Sequence, residues 1–112
     1  MIDSYGFGKI VIDGEKYTSD VIIYPDRVDS SWWRENGHRL SLEDLEGVFA
    51  GEPETLIIGT GSLGLMKVPE EVRRSIEERG IKLIVARTKA ACGEYTRLCG
   101  GERVICGLHL TC

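Results

Sequence analysis

Leu56-Ile57-Ile58-Gly59-Thr60-Gly61-Ser62-Leu63-Gly64 sets a short apolar run directly before three glycines in six residues. The run reads as a buried strand. It empties into a loop whose backbone can approach a ligand closely, because glycine has no side chain to hold the ligand off.

Downstream, Val68-Pro69-Glu70-Glu71 opens a helix, with Pro at the first helical position and two acids at the positive end of the dipole. Val72 and Ile76 face inward, Glu70 and Arg74 pair outside, and Gly80 caps the end. Residues 81–86 form a second buried strand. Thr88 caps a further helix striped by Ala91, Tyr95 and Leu98, which Gly100-Gly101 ends. Residues 103–110 form the last strand. There Val104, Cys106, Leu108 and Leu110 point one way; Ile105, Gly107 and His109 point the other. His109 shares a thin side-chain layer with Gly107, which implies solvent or a backbone hydrogen bond as its partner.

Upstream, Ser41-Leu42-Glu43-Asp44 starts a short helix that Gly51 and Pro53 stop. Residues 25–40 are irregular and hold both tryptophans, Trp32 and Trp33; adjacent side chains share no face, so one anchors while the other caps or stays exposed. Residues 7–12 and 17–24 are rich in β-branched and aromatic side chains. With Asp13-Gly14 between them they read as a β-hairpin. The back half is therefore β-α-β-α-β with short loops, a pattern that favours a parallel core sheet covered by helices.

The chain has 112 residues, 42% of them hydrophobic and 29% charged, which is the composition of one globular domain, residues 1–112. Net charge is −4, and the basic residues are scattered among acids, so nucleic acid is excluded as a partner class. No apolar run approaches the ~20 residues of a membrane span, and the N-terminal residues lack a signal layout, so the expected location is the cytoplasm. Cys92, Cys99, Cys106 and Cys112 are expected to be reduced, because no secretion signal is read and a core of this size needs no staple, and to pack as buried thiols, because no tight C-x₂₋₄-C knuckle is present to hold zinc. No metal or cofactor is expected.

The chain resembles the small domain family of unknown biochemical function that includes the adipogenesis-associated Mth-domain-containing protein and the mitochondrial complex I assembly factor three. The residues behind the resemblance are Trp32-Trp33, Gly37-His38, Ser41 to Leu45, Leu56 to Gly61, Gly80-Ile81, Thr88, Ala91, Tyr95 and Leu108 to Cys112. It implies a three-layer α/β fold: a mixed, mainly parallel central sheet of about five strands, flanking helices and an added N-terminal β-hairpin. It implies no catalytic residues. Mitochondrial members of that family are assembly partners of other proteins.

Two sites follow. Gly59, Thr60, Gly61, Ser62 and Gly64 match G-x-G-x-x-G after a strand; with Arg87 and Lys89 beyond the next strand they suggest a small-anion site. A dinucleotide is disfavoured, since no acid ends the next strand. A phosphate-binding loop is disfavoured too, since Leu65 stands where Lys is needed. Trp32, Trp33, Arg34 and His38 suggest a partner-binding site, because aromatic residues and Arg dominate interface energetics. With no complete catalytic constellation, the leading expectation is a non-enzymatic protein-binding or assembly module. A small anionic metabolite binder or enzyme using the Gly59–Gly64 loop is the alternative, and a two-fold homodimer is a further option.

Overall fold

A computed structural model describes residues 1–34 and 36–112; Glu35, in the irregular stretch, lies outside the described residues. Its strands are β1 (Ile2–Gly6), β2 (Lys9–Ile12), β3 (Glu15–Tyr17), β4 (Val21–Ile23), β5 (Val28–Asp29), β6 (Thr55–Gly59), β7 (Lys82–Ala86) and β8 (Val104–Leu108). A 3₁₀ turn, Leu42–Leu45, runs into α1 (Glu46–Ala50); α2 is Glu70–Glu78 and α3 is Thr88–Leu98.

The central sheet has the order β5-β4-β8-β6-β7. β6 pairs in parallel with both β7 and β8, while β4 pairs antiparallel with β5 and β8. The parallel core expected from β-α-β-α-β is there, but the sheet as a whole is evenly mixed. All five residues of β6 are buried. Leu56 and Ile58 join a cluster with Val48, Val72 and Ile76, whereas Ile57 joins one with Ala91, Cys92, Tyr95 and Ile10. A strand covered on both faces has no polar face to alternate with, which is why the sequence shows an unbroken apolar run. Truncating Ile57 or Ile58 to Ala would cost about 2–5 kcal/mol.

The N-terminal hairpin differs from the expectation. Asp13 (φ 50°) and Gly14 (φ 80°) form the tight turn, but the strands it joins are β2 and β3. β1 adds to β2 and completes a separate three-stranded antiparallel sheet. The run 17–24 breaks at Ser19-Asp20, and its second half is β4 in the central sheet. All three β4 residues are buried, and a two-stranded hairpin has no means of covering both faces of a strand. β1 is hidden in the sequence because Asp3 and Ser4 are polar and exposed.

Local signals at the helices mostly hold. Ser41 N–H and Oγ–H donate to Asp44 Oδ2 at 2.8 and 3.0 Å, anchoring the 3₁₀ turn. Gly80 takes φ +79° after α2. Pro69 sits one residue earlier than expected, as the N-cap. Glu71, rather than Glu70, meets a cation: Arg39 at 3.6 Å.

Candidate functional site

The two sites expected from the sequence differ in geometry. In the glycine loop, Gly61 (φ +106°) and Gly64 (φ +70°) adopt backbone that side chains disfavour. The donors they expose are nearly all used within the chain. Thr60 N–H donates to Ala86 O (2.9 Å), Gly61 N–H to Thr88 Oγ1 (2.8 Å) and Ser62 N–H to Thr111 O (2.5 Å). Gly64 N–H donates to Gly61 O (3.3 Å), Leu65 N–H to Cys112 O (2.9 Å) and Met66 N–H to Thr60 O (3.1 Å). A Cβ on Gly61 would lie 2.3 Å from the carbonyl carbon of Cys112. The loop therefore receives the segment Leu110–Cys112, and glycine is needed for that close approach. Arg87 and Lys89 are exposed, and Arg87 lies over Gly64.

Thr88 does not cap its helix. Its hydroxyl is buried, donates to His109 O at 2.5 Å and accepts from Gly61 N–H. One side chain thus joins the start of α3, the glycine loop and the end of β8.

The tryptophans divide the two roles expected of them. Trp32 is 6% exposed. Its indole N–H donates to Asp44 O at 3.0 Å, and its ring lies over Gly107, where a Cβ would come within 2.8 Å of it. The thin layer at Gly107 is the seat of Trp32. Trp33 is 88% exposed. It stands at a cleft of about 630 Å³ between the stretch Ser30 to Arg34, Gly37 and the pair Ser19-Asp20.

Beside this cleft lies a buried polar cluster. Arg34, its side chain 4% exposed, donates through Nη2 to Asp20 Oδ2 at 2.6 Å and to Gly37 O at 3.2 Å. Its guanidinium carbon is 4.7 Å from the Trp32 ring centroid, a cation–π distance. His109 Nδ1 is 2.8 Å from the same Asp20 oxygen and 3.1 Å from Arg34 Nη2. Arginine has no acceptor, and a carboxylate has no proton to give. Nδ1 must therefore hold the proton and donate to Asp20. Leu110 N–H donates to Asp20 Oδ1 at 2.8 Å. Burial alone would raise the Asp20 pKa; the hydrogen bonds from His109, Leu110 and Arg34 outweigh it and hold the carboxyl at about 2.

The expectation that His109 faces solvent or only backbone is overturned: it is 6% exposed and bound to a carboxylate. The exposed His38 packs edge-on to it, ring centroids 5.9 Å apart. Asp20 escaped sequence analysis. Its one signal was a carboxylate inside a β-branched run. Three buried nitrogens of the cluster have no hydrogen-bond partner among the described residues: Arg34 Nε, Arg34 Nη1 and His109 Nε2.

The cysteines are all free. Burial raises the Cys92 thiol to about 11 and Cys106 well above its usual value, so both pack as small hydrophobes and are poor nucleophiles. Cys99 is exposed and Cys112 partly so, against the expectation of four buried thiols. Among the described residues no His, Cys, Asp and Glu side chains gather three at a time as metal ligands, and no helix is long and apolar enough to cross a membrane.

A family model described as "Protein of unknown function (DUF498/DUF598)" matches residues 2–109. Among solved structures, the conserved hypothetical protein PH1505 from Pyrococcus horikoshii OT3 is similar with a TM-score of 0.86 at 28% identity, over 100% of this chain and 99% of that one. A structure called MT938 gives 0.81 at 26%, over 100% and 98%. A Bordetella pertussis protein described as a Mth938-like domain gives 0.67 at 20%, over 98% and 85%, a likeness of fold alone.

Proposed function

This chain belongs to the DUF498/DUF598 family, the Mth-type domains its sequence resembles, and we propose that it is a non-enzymatic protein-binding module that docks its partner at Trp33 and the adjoining cleft. The observation behind this reading is Trp33, 88% exposed beside a cleft of about 630 Å³. A large side chain held in water gains from being covered, and tryptophan is the residue type most enriched where interface energy concentrates. The cleft volume falls in the range of about 300–1,000 Å³ typical of recognition pockets. The neighbouring Trp32 and Arg34 are pinned, so the surface is preorganised and little entropy is lost when it is covered.

The glycine loop offers less. Leu63 aside, its N–H groups from Thr60 to Met66 are used by the chain itself, and an anion would have to displace those bonds. Four free thiols suit a reducing compartment, which supports the cytoplasm as the place of action.

The test is a comparison of wild type with Trp33→Ala as baits in native lysate, alongside their melting temperatures. The reading expects a partner retained by wild type and lost by the variant at unchanged stability. Equal retention by both, or no specific protein on a folded wild-type bait, would refute it.

A further inference from the structure

The free edges of the two sheets are unlike one another. A strand edge presents unpaired backbone groups, and proteins blunt such edges with short strands, charges, proline or bulges. β5 has two residues, one of them Asp29. β3 has three, with Glu15 and Lys16 exposed. β1 carries Asp3 and Ser4 and breaks its register between Ile2 and Ser4. β7, the outer strand beyond β6, has none of these devices along residues 83–86. Its one charge, Lys82, stands where the strand begins.

The outward backbone groups of β7 belong to Leu83 and Val85. Lys82 N–H donates to Glu54 O at 3.0 Å, and Ala86 O accepts from Thr60 N–H at 2.9 Å. In a parallel ladder every second residue bonds to the same neighbour, so Lys82, Ile84 and Ala86 bond to β6. Leu83 and Val85 then direct N–H and C=O away from it. The side chains of residues 83–86 are all only partly buried. Leu83 and Val85 lie against the core under α2, and Ile84 and Ala86 against the core under α3.

The helix beside this edge carries charges of both signs. α1 rests on Tyr24 and Ile105, over the β4 and β8 side of the sheet. Glu71 pairs with Arg39, and the Arg79 guanidinium lies 3.8 Å from the ring centroid of Phe49 in α1; these residues mark the flank of α2 turned toward α1. Val72 and Ile76 are buried beneath the helix. Helical spacing puts Arg73 and Glu77 on the opposite flank, above the free edge of β7. Among the described residues neither has an ion-pair partner.

We propose that a second copy of this chain binds at β7, antiparallel and edge to edge, with a two-fold axis at Ile84. The register puts Leu83 opposite Val85 of the second copy, and each such pair exchanges both of its N–H···O bonds. Lys82 then faces Ala86 rather than another charge. The two copies of α2 run antiparallel, so Arg73 of each meets Glu77 of the other. A two-fold contact requires a patch that complements itself. An Arg and a Glu on one flank of a helix satisfy that requirement, and a patch of one sign does not. Pairing removes the unblunted edge from both copies and runs one sheet through them. The cleft at Trp33 lies beyond β5, at the other end of the sheet, and stays open.

The experiment is sedimentation equilibrium of the whole chain over a range of concentrations, with amide hydrogen exchange read by NMR. The expected result is a reversible dimer of the 12.4 kDa chain. In the dimer the Leu83 and Val85 amides exchange about tenfold more slowly than in dilute monomer, while Ile84 N–H, bonded to β6, is protected in both. Arg73→Glu and Glu77→Arg each bring like charges together and weaken the dimer about tenfold; mixed, the two variants associate with each other. Should a charge variant fail to fold, the exchange pattern of the wild type decides. A chain still monomeric at about 1 mM overturns the proposal. So do unprotected Leu83 and Val85 amides in the dimer, or two folded charge variants that stay apart on mixing. Protection of Leu83 and Val85 by a lysate protein on a monomeric chain overturns the choice of a second copy. A dimer lost in Trp33→Ala places the contact at the cleft and overturns the β7 pairing; a dimer kept in that variant upholds it, whether or not the cleft captures a partner.

Discussion

The glycine loop at 59–64 and the cleft at 30–37 are the two places where this sequence looks made for recognition, and they end in opposite states. The loop is filled. Leu63 aside, its backbone donors are taken up within the chain, by Ala86, Thr88 and Thr111 among others, and Gly61 makes room for Cys112. The cleft is open, and three nitrogens beside it are left without partners among the described residues. A glycine motif shows that something comes close to the backbone; it does not say whether that something is a ligand or the protein's own chain. The two regions are joined through His109. Its carbonyl accepts from Thr88 below the loop, and its ring binds Asp20 beside the cleft.

The sharpest way to break the comparison is Asp20→Asn. It leaves Arg34 buried without its counter-charge, and removing one partner of such a pair costs about 3–5 kcal/mol. Urea denaturation measures it. A loss under about 1 kcal/mol would mean that the cluster beside the cleft is not held together by this ion pair. The same pair of proteins yields a pH test. Asp20 titrates at about 2 in the fold against an ordinary 3.8. A carboxyl with a depressed pKa contributes stability above its unfolded value and loses it as the pH falls toward the folded one. The stability gap between wild type and Asp20→Asn should therefore narrow between pH 4 and 2. A constant gap contradicts the assignment.

Gly61→Ala comes next. A Cβ there sits 2.3 Å from Cys112 at φ +106°, so either the loop or the segment 110–112 must move. A loss of about 2–4 kcal/mol is expected. Unchanged stability would mean that the loop has room for a ligand after all. Thr88→Val keeps the shape but removes the hydroxyl, stranding Gly61 N–H and His109 O. The expected cost is about 1–3 kcal/mol, read from the same urea curves. Trp33→Ala has the smallest effect on stability, within about 0.5 kcal/mol, because the side chain touches little. A larger loss would make Trp33 part of the packing and remove the contrast between the two regions.

Much of the fold was legible before any coordinates. β6, α2, β7, α3 and β8 lie within a few residues of their sequence signals, because each has a strong local pattern with glycine or proline close to at least one of its ends. The N-terminal part was not. Residues 17–24 look like one strand, yet Tyr17 closes the small sheet while Val21–Ile23 enters the central one. β-branched residues specify extended backbone, not the sheet that will pair with it. The candidate sites divide in the same way. Trp33 and Arg34 stood out through residue type and adjacency. Asp20 and His109 did not, because they are 89 positions apart and meet only where β4 pairs with β8.

By itself, then, the order of residues determined which segments of the back half are helical or extended, that a parallel β-α-β-α-β core exists, and that two adjacent tryptophans cannot share one face. These follow from periodicity, capping and steric exclusion between neighbours, which act over a few residues. Only the tertiary structure decided that the glycine loop is occupied by Leu110–Cys112, and that Arg34 is buried over a shared carboxylate with donors to spare. Both depend on which distant groups fill a space or complete a hydrogen bond, and a chain settles those only when all of its segments are packed at once.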